Sequence, residues 1–149
     1  MKILPASLLC AALALGAAGP ASAKTYEGET AGGYAISFKA NGSKVSKLEA
    51  TVPAVCVPVG SGTARAGGEL FQPPGSFAYG RTTKTKALQQ PAMHTSEVTK
   101  NYHVTVKRTR RGVAGKLHVN FSYQSLTFDV FGNMGLQPWI CQGHDTFKV

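Results

Sequence analysis

Apolar and polar residues alternate at every second position over much of this chain, and this pattern limits its fold more than any other feature. Between residues 102 and 107 the apolar members are Tyr102, Val104 and Val106, with polar residues between them. Residues 117–123 alternate in the same way. Such alternation is typical of strands that bury one face, and no segment shows a convincing helical period. The chain is therefore predicted to be all-β.

These two alternating segments are expected to form one hairpin, with a turn in which Gly112 supplies a positive φ. A second hairpin is predicted upstream, where residues 34–52 alternate around Asn41-Gly42, a strong hairpin-turn signal. Pro53 is expected to end the regular pairing of the return strand, because proline has no N–H to donate.

Shorter runs of the same kind continue to the C-terminus and are separated by turn-forming residues. Residues 57–85 are predicted to be mainly loop, residues 77–88 are predicted to form a strand or sheet edge, and residues 97–100 are expected to form a turn at most. Short strands are predicted at 69–71, 76–79, 126–131, 138–141 and 146–149. Seven to nine short strands with turns between them favour an antiparallel β-sandwich over a barrel.

The first 23 residues have the three parts of a secretory signal peptide. They are a positive start at Lys2, an apolar run over residues 3–18 and the small-residue ending A-S-A. A membrane anchor would need about 20 apolar residues, and a lipid-modified Cys10 is disfavoured by the bulky residues before it. Residues 1–23 are therefore predicted to be removed. Residues 24–149 are predicted to form a single secreted β domain, extracellular or periplasmic, with no transmembrane segment.

Removal of the signal peptide leaves two cysteines, Cys56 and Cys141. Two thiols in an exported chain are most often joined, and this bridge would close a loop spanning 85 residues (141 − 56). The bridge is expected to tie the return strand of the first hairpin to the strand that carries Trp139, between two packed sheets. A metal site, which needs more ligands, and two buried free thiols are the alternatives.

Three sets of residues carry a resemblance to known proteins. They are the first hairpin "ISFK…NGSKVSKL" leading to a cysteine, the central strand "GKLHV" and the late "CQGHDTF". With these motifs the chain resembles a loose group of small secreted bacterial β-domains of actinobacterial type that contain one disulfide. The resemblance covers most of residues 24–149 and implies their fold, their export and the Cys56–Cys141 pairing. It implies no activity and no site.

Basic residues outnumber acidic ones by 16 to 7, and loss of Lys2 leaves a formal charge of +8 (15 − 7). Such an excess attracts anionic partners. The predicted partner is an anionic polymer or another component of the cell envelope. Nucleic acid is disfavoured because the chain is exported and lacks a recognition motif, and a merely solvated surface is the alternative. The candidate binding residues are Arg81, Lys84, Lys86, Lys107, Arg108, Arg110, Arg111 and Lys116.

His103 and His118 both face outward on the second predicted hairpin. If the turn is centred between Arg110 and Arg111, the two histidines lie directly opposite each other. In the other register His118 lies opposite Thr105, and both registers bury the same residues, so burial cannot choose between them. Two ligands are too few for a structural metal site. The pair is therefore a weak metal candidate, and no cofactor is expected.

Catalytic motifs do not emerge from the sequence, which contains neither a G-x-S-x-G nor an H-E-x-x-H pattern. Acidic residues are few, so the paired carboxylates of glycoside cleavage are poorly supplied. The sequence favours a secreted module for binding or surface interaction over an enzyme. A hydrolase acting on cell wall or carbohydrate is the alternative, and a passive structural or inhibitor domain is the second alternative.

Overall fold

A computed structural model describes residues 22–60, 62–89 and 98–149. In this part of the chain every regular element is a β-strand, so the all-β prediction is confirmed. No helix among these residues is long and apolar enough to span a membrane. The predicted signal peptide lies outside the described residues except for its last two, and the first strand begins directly after it, at Lys24.

The strands are β1 (Lys24–Glu29), β2 (Ala35–Asn41), β3 (Lys44–Pro58), β4 (Arg65–Phe71), β5 (Ser76–Ala78), β6 (Thr82–Gln89), β7 (Val98–Arg108), β8 (Val113–Phe128) and β9 (Met134–Lys148). They form one nine-stranded sheet in the order β1-β2-β3-β9-β8-β7-β6, and β4 and β5 also pair with β3. All of these pairings are antiparallel. The number of strands therefore agrees with the predicted seven to nine.

The long strand β3 connects the two layers of the fold. Its first half pairs with β2, and its last five residues pair with β9. The sheet bends over itself, so that aromatic rings from its two halves meet inside. The Phe38 ring of β2 lies 5.6 Å from the Phe147 ring of β9, and the Phe71 ring of β4 lies 5.0 Å from the Tyr102 ring of β7. The fold is thus a two-layered sandwich built from a single continuous sheet.

Apolar side chains from both layers form one core. The predicted inward positions of the β7–β8 hairpin are confirmed, although Tyr123 at its end is only partly buried. The largest fully buried side chains are Tyr102, Phe38, Phe71, Phe77, Leu117, Val45, Val52, Val104, Val106, Val113 and Val119.

A β-bulge at Lys47 lets β3 keep its apolar residues inside. The register between β2 and β3 shifts by one residue here, and Lys47 has a φ of 50°. One extra residue reverses the alternation. Val45 before the bulge and Leu48 after it therefore both point into the core, although an odd and an even position would otherwise lie on opposite faces.

Pro53 does not end the pairing of its strand, contrary to expectation. It pairs with Gly68 of β4, and β3 continues to Pro58. A side-chain carbon added at Gly143 of β9 would lie 3.1 Å from the Pro53 carbonyl oxygen, so this carbonyl faces the β9 side. The backbone nitrogen of Pro53, which carries no hydrogen, points to the same side. On that side β3 has no partner between Ala50, where pairing with β2 ends, and Ala54, where pairing with β9 begins. No ladder hydrogen bond is lost there.

Both predicted hairpins form, but their turns do not depend on a glycine with a positive φ. Neither Gly42 nor Gly112 has a positive φ. In the first turn the Asn41 side chain accepts a hydrogen bond from the Lys44 N–H at 3.2 Å. At Gly112 the requirement is close approach, because an added side-chain carbon would lie 1.9 Å from the Val149 carbonyl oxygen.

Several predicted boundaries are wrong because long-range pairing extends the strands. Residues 98–100 lie in β7 and do not form a turn. The segment predicted to be mostly loop, residues 57–85, contains β4, β5 and the first half of β6, which pair with β3 and β7. The strand predicted over residues 77–88 forms from Thr82 onward, as β6. The short runs predicted after residue 125 fall in β8 and β9, which pair with each other from Ala114 to Phe128, except that residues 129–131 lie in the turn between them.

Cys56 of β3 and Cys141 of β9 form the predicted disulfide. The two residues are direct partners in the sheet, and their Cα atoms are 4.0 Å apart. The bridge therefore joins neighbouring strands at the place where β3 passes into the second layer, and it does not link two separate sheets as expected. Such a bond is consistent with an oxidising extracellular or periplasmic location.

Candidate functional site

One row of basic side chains crosses the four adjacent strands β6, β7, β8 and β9. Lys84 of β6 is the direct partner of His103 of β7. His103 is also the partner of His118 in β8, and His118 is the partner of His144 in β9. Directly opposed residues share a face, and their Cβ atoms lie about 4.5–5.5 Å apart. One lysine and three histidines therefore stand side by side on the outward surface of this layer.

Polar residues occupy the rows on both sides of the histidines. We call the whole surface the outer polar face. It comprises the row Lys84, His103, His118 and His144, the row Thr82, Thr105, Lys116 and Thr146, the row Lys86, Asn101, Asn120 and Gln142, and Lys107 and Lys148 at one end.

The histidines of this face are close neighbours. The centroids of the His103 and His118 rings are 5.5 Å apart, so the first of the two predicted registers is the correct one. Burial, and then the neighbouring His103 and His144, hold the pKa of His118 below its usual value. Within the described residues no group of three or more His, Cys, Asp or Glu side chains is arranged to hold a metal ion. An in-line row differs from the converging ligands, each about 2.0–2.1 Å from the ion, that zinc requires.

A shallow open depression of about 520 Å³ lies at one end of the outer polar face. Lys107 and Lys116 line it together with three threonines and Ala114. The Thr82 and Thr105 hydroxyl oxygens are 2.7 Å apart and share a hydrogen bond. Small side chains thus leave room between two ammonium groups, which is suitable for an anionic group that also accepts hydrogen bonds from hydroxyls.

The structure brings together four of the eight predicted cations on this face. Lys84 and Lys86 of β6 were separated in sequence from Lys107 and Lys116, and pairing of β6 with β7 unites them. Lys148 was missed, although its place at an even position in the alternating C-terminal segment was a usable signal. His144 lies outside the last strand predicted from the sequence, residues 146–149, whereas β9 includes it and places it directly beside His118.

The four predicted arginines lie elsewhere. Arg108 donates a hydrogen bond to the Gly42 carbonyl oxygen at 2.8 Å and covers the Tyr79 ring, so it connects the two layers. Arg110 and Arg111 stand exposed in the turn that follows β7, and Arg81 stands exposed just before β6. These three border the outer polar face without belonging to its rows.

Carboxylates are absent from the outer polar face within the described residues. Asp145 points inward from β9, where its carboxylate accepts hydrogen bonds from the Gly32 N–H at 3.2 Å and the Thr146 N–H at 2.7 Å. Glu69 of β4 forms an ion pair with Lys100 of β7. Each of these acids has a structural partner, so the charge of the face is not neutralised by neighbouring carboxylates.

Known proteins give no further guide to this face. Comparison with protein-family models, with characterised proteins and with solved structures found no match to the chain. The function therefore has to be inferred from the chemistry of the outer polar face itself.

Proposed function

We propose that residues 24–149 are a secreted binding module whose outer polar face binds an anionic polymer of the cell envelope. The observation that carries the proposal is the concentration of five lysines and three histidines on one carboxylate-free face. A surface of one sign attracts and steers an oppositely charged partner. The signal-like N-terminus and the disulfide support export of the chain.

The polar groups between the cations favour a polymer rich in hydroxyl groups, such as an acidic polysaccharide. Thr82, Thr105 and Thr146 offer hydroxyls, and a neighbouring row offers the amides of Asn101, Asn120 and Gln142 at the spacing of adjacent strands. Single-stranded nucleic acid is usually bound through stacked aromatic side chains. Among the described residues the rows of the outer polar face contain no Phe, Tyr or Trp, and Phe147, which lines the depression, is itself buried. Nucleic acid therefore fits this face less well.

Removal of the lysines at the depression is expected to weaken binding to dextran sulfate. In Lys107→Ser/Lys116→Ser the dissociation constant should rise at least about 10-fold at 50 mM salt, because a hydrogen bond to a charged group contributes about 1.5–3 kcal/mol. Titration calorimetry measures the change, with neutral dextran as the reference polymer.

Exposed charges are screened beyond about 10 Å at 0.1 M salt, so binding by the unaltered protein should weaken steeply with added salt.

A charge-matched control separates a defined site from general attraction. Lys39→Ser/Lys44→Ser removes the same charge from two exposed lysines of the β2–β3 hairpin, and it should change the affinity less than about threefold. Equal losses in the two double variants would show that net charge alone attracts the polymer. Binding that persists in 0.5 M salt would also contradict the proposal. Absence of binding would favour a structural or inhibitor domain.

Binding of dextran sulfate is expected to strengthen as the pH falls from 8 to 5, because protonated histidines add positive charge to the face. His118 should gain its proton at a lower pH than an ordinary histidine, since its pKa is lowered. Lys84 stands in the same row as the histidines, Lys86 and Lys116 stand in the two neighbouring rows, and Tyr34 and His144 line the same depression.

Replacement of all three histidines by asparagine tests this pH dependence. The affinity of the triple variant at pH 8 should stay close to that of the unaltered protein, whereas the gain on acidification should largely disappear. An unchanged gain would show that groups outside the histidine row produce it.

A further inference from the structure

The end of the β8–β9 hairpin projects beyond the strands that cover its base. The pairs between β7 and β8 run from Arg108↔Val113 to Asn101↔Asn120, whereas β8 and β9 continue to pair as far as Phe128↔Met134. We call residues 124–138 the hairpin extension. Its two strands pair with each other. At its base Val59, which follows β3, donates a hydrogen bond to the Pro138 carbonyl oxygen and accepts one from the Gln137 side chain.

The two faces of the hairpin extension have the opposite polarity to those of the domain. On the domain the even positions of β8 and β9 point outward and are polar, as at His118 and His144. Beyond Ser122 the same outward face becomes apolar, with the partners Leu126 and Leu136 followed by Phe128 and Met134. The odd positions, which are apolar in the domain, become polar or small here, as at Thr127 and Gly135.

This reversal, together with the exposed valines at the end of β3 and just after it, places apolar side chains along one side of the molecule, and we call them the apolar patch. It comprises Val55, Val57, Val59, Leu126, Phe128, Val130, Phe131, Met134, Leu136 and Ile140. Val57 belongs to it because it pairs with Ile140 on the same face. Every member exposes at least 45 % of its surface, and the exposure rises to 70 % at Phe128, 87 % at Phe131 and 94 % at Val130.

The turn between β8 and β9, at the far end of the apolar patch, is held by several hydrogen bonds. The Asp129 carboxylate accepts hydrogen bonds from the backbone N–H groups of Phe131 at 2.9 Å and Asn133 at 2.8 Å, and from the Asn133 side chain at 2.8 Å. Gly132 has a φ of 81°, which suits glycine. These bonds hold the pKa of Asp129 below its usual value. Val130 and Phe131 are therefore held outward by an ordered turn that carries a negative charge.

The area of the apolar patch is large for a protein of this size. Ten side chains at these exposures present on the order of 1,000 Å², since one aromatic side chain alone carries about 150–250 Å². Monomeric soluble proteins seldom expose more than a few hundred Å² of contiguous apolar surface. A standard protein interface buries about 800 Å² on each partner, so the patch has the area that one side of a stable dimer needs.

The charge distribution favours a second copy of this chain over a lipid surface. No Lys or Arg occurs between residues 117 and 147, and Arg65, which lies beside Thr127 and Gln137, covers the Trp139 ring on the opposite, inward side. The apolar side of the hairpin extension therefore lacks the cations that usually flank an interfacial membrane anchor. The ionised Asp129 at its tip would also be costly to insert into hydrocarbon. The basic residues lie at the other end of β8, so two copies can meet through their hairpin extensions without bringing the lysines of their outer polar faces together.

We propose that two copies of this chain associate through their apolar patches and form a twofold-symmetric dimer. A twofold interface uses the same patch on both subunits, and the uncharged, aromatic- and methionine-containing surface matches the core of such interfaces. Each dimer then carries two outer polar faces, which raises the avidity for a polymer. Association itself is independent of the polymer-binding proposal.

Sedimentation equilibrium of the disulfide-bonded residues 24–149 tests the dimer. Phe128→Ser/Met134→Ser and, separately, Leu126→Ser/Leu136→Ser each remove one cross-strand pair of the patch, and each should raise the dimer dissociation constant at least about 100-fold. Leu70→Ser/Leu88→Ser removes two exposed leucines outside the patch and should leave it unchanged. Thermal unfolding followed by circular dichroism shows which variants remain folded, and the two patch variants are independent of each other.

Each outcome of these measurements decides the proposal. A concentration-dependent dimer that both folded patch variants abolish supports it. A monomer at 200 μM overturns it, as does a dimer that the patch variants leave intact. Binding of the unaltered monomer to phosphatidylglycerol vesicles, abolished by the patch variants, would assign the patch to a lipid surface instead. Retained dextran sulfate binding by a monomeric variant would leave the outer polar face proposal standing.

Discussion

Replacing Cys56 and Cys141 together by alanine is expected to lower the free energy of unfolding by roughly 3–5 kcal/mol. The bridge closes a loop of 85 residues, and the chain-entropy model assigns such a loop about 4–5 kcal/mol. Small domains have a total stability of about 5–15 kcal/mol. The loss is therefore a large share of the stability, and the variant should be marginal at 37 °C.

Urea denaturation of the oxidised protein and of the double alanine variant measures this loss. Because the bridge joins direct partners of β3 and β9, hydrogen exchange should accelerate most at Val55, Val57 and Ile140, next to the bridge. A decrease of less than about 1 kcal/mol would mean that strand pairing alone holds the two layers together. Alkylation of both thiols in the native purified protein would exclude the bridge itself.

Replacing Lys100 by methionine is expected to destabilise the fold by roughly 3 kcal/mol, because it leaves the Glu69 carboxylate without its cation in a mostly buried position. The Lys100 side chain is 9 % exposed and that of Glu69 is 22 % exposed. Lys100 also covers the Phe121 ring. The second substitution Glu69→Leu should recover most of the loss, since an apolar pair of similar volume often replaces a buried ion pair without cost.

Tyr102→Phe is the matched control for this buried polar cluster. The Tyr102 hydroxyl is buried and makes no hydrogen bond of normal geometry among the described residues, although the Gln72 backbone lies near it. Burial, followed by the neighbouring Glu69, raises its pKa to about 12. Removal of an unsatisfied hydroxyl should change the stability by less than about 0.5 kcal/mol or increase it. Urea denaturation compares all three variants. A Lys100→Met variant as stable as Tyr102→Phe would show that the ion pair contributes nothing.

Local pattern alone was enough to predict the two main hairpins of the domain. Tyr102, Val104 and Val106 alternate with polar residues, and a strand that buries one face has no other period. The disulfide followed from the number of cysteines and the predicted export. The register of the β7–β8 hairpin could not be predicted, because both registers buried the same side chains and differed only in the pairing of outward residues such as His103 and His118.

The outer polar face depends on which strands are neighbours, and alternation does not specify neighbours. Lys84 and His144 are 60 positions apart in the chain (144 − 84), and only the order β6-β7-β8-β9 places them in one row. The continuation of β3 past Pro53 could not be predicted for a similar reason. Proline is accommodated there only because the residue lies between the end of the β2 pairing and the start of the β9 pairing. The hairpin extension was misread because its apolar residues point away from the core.

The central claim is that one carboxylate-free face of β6–β9 binds the anionic polymer, and an NMR titration tests it most directly. Dextran sulfate added to ¹⁵N-labelled residues 24–149 should shift the amide signals of residues 82–86, 103–107, 116–120 and 142–148. Signals of the β2–β3 hairpin and of the hairpin extension should move little. Shifts that centre on Lys39 and Lys44, or that spread evenly over all exposed lysines, would contradict the account.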